Sequence, residues 1–144
     1  GVKFTPGVQN LGPDANEYRG HSGKIFDGDQ TGVTVSTFTP HSSPLALFFD
    51  KKNALSENFK GDGFTIRYSL GARGAMMKPF TEQGADLLHL DLSYDKMTDN
   101  YFVKTTRIVD GFNAATDAVL LGNTAYVIEY GATGGNIWKI VFPK

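Results

Sequence analysis

The side chains able to do chemistry in these 144 residues are few: three histidines, no cysteine, and 14 cations against 15 anions. The lack of cysteine excludes disulfides, thiolate metal sites and cysteine nucleophiles. His41 stands between Pro40 and Ser42, just ahead of an apolar run. An imidazole there can touch a substrate or cofactor, and a histidine after a proline also serves as a hydrogen-bonded loop residue. Arg73 lies in the glycine-flanked stretch GARGAMM, where its guanidinium can reach an anion or stand solvated. His89 alternates with leucines in LLHLDLSY, on the strand side expected to meet water. Asp27-Gly28-Asp29 has the opening of a calcium loop, but position 38 is Phe, where such a loop needs its glutamate. Arg19 and Lys24 can pair with Asp14, Glu17 or Asp27 on the surface, in pairs worth roughly 0–1 kcal/mol. No catalytic base and no metal-ligand set is assigned from these residues.

The elements that must position them read as β. Seventeen glycines, six prolines and 12% aromatic residues favour short strands and many turns. Residues 1–31 carry scattered Gly, Pro, Asp and Asn with no sustained period, which predicts an irregular, loop-rich surface segment. Strands are expected over 31–39, 42–49, 63–70, 87–94 and 101–109, with one helical turn in NALSENF. In LLHLDLSY the leucines at 88, 90 and 92 and Tyr94 share one side, which predicts one face in a core and the other in water. DAVLLG lacks alternation and is expected to be covered on both faces. Gly122-Asn123 signals a hairpin into TAYVIEYG, where Tyr126, Ile128 and Tyr130 share a side. In IWKIVFP, Trp138, Ile140 and Phe142 share another, as core or as a sugar-stacking platform.

A formal net charge of −1 provides no field for a polyanion, so nucleic acid is not expected as a partner. No stretch approaches the roughly 20 apolar residues needed to cross a bilayer. The N-terminal residues have no apolar signal core, so any export signal is removed or lies outside this piece. The strands fall into a set of four, at about 42–109, and a set of three, at about 116–142. Sets of four suggest propeller blades, in which case the last set is one strand short. The predicted class is therefore all-β: residues 32–144 as about two four-stranded antiparallel blades of a propeller, the last incomplete, belonging to the C-terminal part of something larger.

The motifs TPHSSPLALFF, FKGDGFTIRYS and FNAATDAVLLGNTAYVIEYGATGGNIWKI, in this order, resemble the soluble PQQ-dependent aldose and sorbosone dehydrogenases. LGPDANEYR resembles the loop that precedes them in bacterial members. The resemblance implies a six-bladed propeller that binds pyrroloquinoline quinone (PQQ), often with calcium, at one end of its channel. A histidine there takes a proton while hydride passes from the sugar to the quinone. His41, at the start of an innermost strand, and Arg73, on the family's cofactor-facing arginine, are the cofactor-binding candidates. A second family arginine falls on Ala114-Ala115-Thr116-Asp117, and the catalytic histidine falls on no residue of this sequence. PQQ and calcium are thus implied for a full-length parent, without tight binding to this chain alone. Periplasmic or extracellular placement, a sugar substrate, and self-association or pairing with missing N-terminal blades follow from the same reading. Two alternatives stand beside it: a non-catalytic propeller-type binding or scaffold module, and a carbohydrate-binding β-sandwich.

Overall fold

The computed structural model describes residues 1, 6–35, 38–69, 79–82, 84–131 and 134–144. It is all-β, with ten strands and one four-residue helix among them. Four strands run as an antiparallel meander: β4 (Pro44–Phe49), β5 (Gly63–Arg67), β6 (Asp86–Asp95) and β7 (Asn100–Asp110). A second meander of three follows: β8 (Ala115–Leu121), β9 (Thr124–Gly131) and β10 (Gly134–Val141). The hairpin between β8 and β9 closes through Gly122 at φ 61 and Asn123. A positive φ at the first loop position suits the right-handed twist of the flanking strands, and glycine adopts it without steric cost.

The two sheets stack with β8 against β4 and β5. Between them lies the main core, where Phe64, Ile66, Leu87, Ala125, Val127 and Phe142 are buried. Phe64 anchors it, with ring centroids 5.4 Å from Phe48 and 5.0 Å from Phe142. Burying side chains of this size stabilises by about 1.5–3 kcal/mol each before entropy is counted. Backbone links tie the sheets as well: Ala114 N–H donates to Ser69 O at 3.1 Å and Ala114 O accepts from Tyr130 N–H at 2.9 Å.

The predicted period of two in β6 is present, but not the predicted wet face. Leu87 and His89 point into the main core, while Leu88 and Leu90 point to a second cluster with Ala15 and Val103. β6 is a central strand covered on both sides. His89 is accordingly only 9% exposed, not solvated. Its Nε2 lies 2.7 Å from Asp62 Oδ2, and its ring sits against Phe59 and Phe64.

The described residues 9–31 are also not an irregular excursion. They carry β1 (Gln9–Pro13), β2 (Glu17–Arg19), β3 (Ile25–Asp27) and α1 (Gly28–Thr31). β1 adds to the first sheet parallel to β7, pairing Gln9 with Phe102 and Asn10 with Val103. β2 and β3 form a hairpin in which Tyr18 stacks on Phe26. The signal is invisible to periodicity because side-chain hydrogen bonds hold this segment. Asn10 Nδ2 donates to Ala15 O at 2.9 Å, and Thr105 Oγ1 donates to Asn10 Oδ1 at 2.9 Å and also to Asp14 O. The strand expected over 31–39 reduces, among its described residues, to one bridge between Val35 and Asn10, with Thr31 ending α1.

Beneath the N-terminal segment, Arg67 and Asp86 are fully buried and paired side-on, with Arg67 Nε 2.8 Å from Asp86 Oδ1. Arg107 Nε donates to Asp86 Oδ2 at 2.8 Å and its Nη2 to Glu82 Oε1 at 2.7 Å. Glu17 receives Thr81 N–H at 2.8 Å and Glu82 N–H at 3.1 Å, and Asp14 receives Arg107 N–H at 2.7 Å. Removing one member leaves its partners charged and buried. Arg67→Met is therefore expected to cost about 3–5 kcal/mol in urea unfolding. A loss under about 1 kcal/mol would show that the network does not hold the segment.

Candidate functional site

His41 lies in the turn before β4, exposed, at φ 63, with its ring centroid 6.4 Å from that of Phe80. Positive φ is costly for a non-glycine residue, and here the turn is fastened on both sides. Ser42 Oγ donates to Thr39 O at 2.6 Å, and Tyr68 N–H donates to Ser43 O at 2.9 Å. Arg73 falls outside the described residues, so the two predicted cofactor contacts are not brought together by what the structure describes. The stretch on which the family's second arginine falls is the start of β8, where Ala114 and Ala115 are buried at the sheet junction. A guanidinium there would collide with the core.

The two arginines that face the N-terminal segment are engaged. Arg67 and Arg107 face Asp86 and Glu82, as above. Burial works against the charge of Arg107, but Asp86 and Glu82 outweigh it and its pKa rises. Burial pushes the Glu82 carboxyl up against the opposing pull of both arginines. PQQ carries three carboxylates and an ortho-quinone, so a site for it needs cations with free donors. Arg67 and Arg107, already bound to Asp86 and Glu82, are not such cations, and among the described residues no group of three or more His, Cys, Asp or Glu could hold a metal ion.

Two carboxylates outside this network have strongly set protonation. Asp50 accepts backbone N–H from Ala54 at 2.8 Å and Leu55 at 3.1 Å, folding the loop between β4 and β5 onto itself. Burial works to raise its pKa, but these donors and Gly61 N–H outweigh it, so the carboxyl sits below the ordinary range. Glu129 follows the same logic: burial is outweighed by Asn113 N–H at 2.8 Å, Asn136 Nδ2 at 2.7 Å and the Trp138 side chain. Asp27 runs the other way. The proton it shares with Asp29, with burial and the charge of Asp29 adding, raises it from 3.8 to about 6. The Asp27-Gly28-Asp29 stretch thus closes on itself. Lys24 lies 5.3 Å from the Phe26 ring centroid, and among the described residues neither it nor Arg19 makes an ion pair with Asp14, Glu17 or Asp27.

What the molecule offers to a partner is apolar. The outward face of the first sheet holds a groove of about 440 Å³, lined by Leu45, Leu47, Phe49, Leu90, Leu92 and Val103 and roofed in part by Val8 and Phe38. On the second sheet, Tyr126, Ile128 and Tyr130 do share a side, and it is the outward one, with Tyr130 77% exposed. Val119 and Leu121 join them, so β8 is covered on its inner face only, contrary to the expectation for DAVLLG. Trp138 is on the inward side yet 47% exposed, because β10 is the edge strand furthest from β4 and overhangs the core. The sequence identified these outward residues as a set but not the side they occupy, since apolar alternation marks both a buried and an unpartnered face.

No protein-family model, curated protein or solved structure matches the chain. Among the described residues no helix is long and apolar enough to cross a membrane.

The two kinds of carboxylate predict opposite pH responses. The folded pKa of Asp50 lies below its unfolded value, so its contribution is complete above about pH 4 and lost as pH falls through the folded value. Asp50→Asn should cost about 1–3 kcal/mol at pH 7, with the deficit shrinking below about pH 4. The folded pKa of Asp27 lies above its unfolded value, so its contribution is present below 3.8 and lost as pH rises through about 6. Wild type should therefore lose stability relative to Asp27→Asn between these values. Denaturant midpoints at half-unit pH intervals test both, and parallel profiles for either pair of proteins would refute that assignment.

Proposed function

We propose that this chain is the C-terminal part of a propeller of the soluble PQQ-dependent sugar dehydrogenase kind. In this reading β4–β7 form one four-stranded blade and β8–β10 three strands of the closing one. The observation that carries it is the exposed apolar outward face of the β8–β10 sheet, together with the apolar groove on the outward face of the first sheet. A free-standing sandwich keeps its outer faces polar, whereas a blade presents apolar side chains to a neighbour on each side. The order of the meanders and the motif order of the sequence support the same reading. Periplasmic or extracellular placement goes with it.

In the intact parent, oxidation of an aldose or related sugar would pass hydride to PQQ. No catalytic base is assigned to this chain in that reaction, and Arg67 and Arg107 are bound to Asp86 and Glu82. The chain's role is to close and stiffen the ring. A second reading, a propeller-type scaffold that has lost its cofactor anchors, is favoured specifically by the buried alanines at 114 and 115. The third, a carbohydrate-binding sandwich, has the stacked sheets in its favour but leaves the outward apolar faces unexplained.

An experimental structure of the complete product of the gene tests the propeller. The expected result is a ring of blades with the outer face of β8–β10 covered by another blade. A two-sheet sandwich with that face open to water would overturn it. Titration of that full-length protein with PQQ then separates enzyme from scaffold: a micromolar or tighter complex favours the enzyme, and no binding the scaffold. This chain alone, given PQQ, calcium, aldose and a dye acceptor, is expected to give no turnover.

A further inference from the structure

The outer face of the β8–β10 sheet is built as rows of residues in register. Asp117, Ile128 and Ile137 form one row, Val119, Tyr126 and Lys139 the next, and Leu121, Thr124 and Val141 the third. Val119, Leu121, Ile128, Tyr130, Ile137 and Val141 are each 45–77% exposed. Six side chains of this size, about half exposed or more, present on the order of 600 Å² of mostly apolar surface, the upper end of what a monomer's largest patch shows. With its polar rim such a face approaches the roughly 800 Å² per partner of a standard interface. A hollow of about 190 Å³ lies near its centre, lined by Val119, Tyr126, Ile128 and Ile137 among others.

The charges on this face are placed asymmetrically. Asp117 stands on β8 at one flank, and Lys139 on β10 at the other, one row away. A two-fold axis parallel to β9, the central strand, lays β8 of one copy over β10 of the other. Asp117 then comes within one row of the partner copy's lysine at 139, about 7 Å along the strand, which the lysine stem spans. Symmetry makes the pairing twice. A two-fold axis across the strands instead sets β8 over β8 and leaves both aspartates facing apolar side chains. The outward face of the first sheet is a poorer mate, because its N-terminal segment roofs part of it and leaves a groove rather than a flat surface.

We propose that two copies of this chain associate through the outer faces of their β8–β10 sheets, about a two-fold axis along β9, with Asp117 of each copy paired to Lys139 of the other. The proposal goes beyond the propeller reading and does not require it, since the interface is made by the chain as it stands.

Sedimentation equilibrium of the purified chain over about 1–200 μM tests it. A dimer is expected. Ile137→Asp should leave a monomer with the circular dichroism of wild type and a urea midpoint that matches wild type only at concentrations low enough for wild type itself to be monomeric, because the side chain is 70% exposed. Asp117→Lys and Lys139→Asp should each weaken the dimer on the order of tenfold, and the double variant should restore it. Both positions are exposed, so these variants keep the fold. A monomer throughout the range overturns the proposal, as does a dimer indifferent to Ile137→Asp. Association growing without limit with concentration would mean head-to-tail stacking and overturns the two-fold mode. Failure of the double variant to recover overturns the axis. None of these results bears on whether the full-length gene product closes a ring.

Discussion

Arg67 and Asp86 are both fully buried, and nearly everything in the first sheet leans on their pairing. A guanidinium or carboxylate taken out of water is tolerated only when its hydrogen-bonding capacity is used up nearby. That requirement pulls Arg107 and Glu82 into the same cluster and draws Glu17 over Thr81 and Glu82. The N-terminal residues are thereby fixed across β7, where an apolar pattern alone would leave them loose. The network resembles a site in composition, with two arginines and several carboxylates, but each group is occupied by another, and its consequence is specificity of assembly.

The second organising fact is that the β8–β10 sheet is largely apolar on both faces, whereas the outer face of the first sheet is part ion-pair network under the N-terminal segment and part apolar groove. The inner faces meet in the core around Phe64 and Val127, which accounts for cohesion of the molecule. The outer face of the second sheet has the same residue types without a partner inside the chain, while that of the first is covered in part by the N-terminal segment. On the β8–β10 sheet Ile137 and Tyr130 are turned to water, and a covering partner would bury that apolar area. Closure into a ring and pairing between copies are two ways of meeting the same demand.

The cofactor-binding expectation met a different constraint. His41 sits in a turn fastened by Ser42 and Ser43, exposed beside Phe80, while Ala114 and Ala115 are packed at the sheet junction. A small side chain at that junction is what lets the β8 backbone bond to Ser69 and Tyr130.

By itself the sequence determined the all-β class, the two meanders, the Gly122-Asn123 hairpin and the shared sides within β6, β9 and β10. These follow from period, turn residues and branched or aromatic composition, all local properties. Only the tertiary structure decided which side of each strand is covered, because an alternating strand looks the same whether its apolar face meets a core or water. It also decided that His89 is buried against Asp62 and that residues 9–27 are structured. Both depend on partners distant in sequence: Asp62 for the histidine, Thr105 and Arg107 for the segment. Hydrogen bonds to such partners leave no periodic trace in the sequence that makes them.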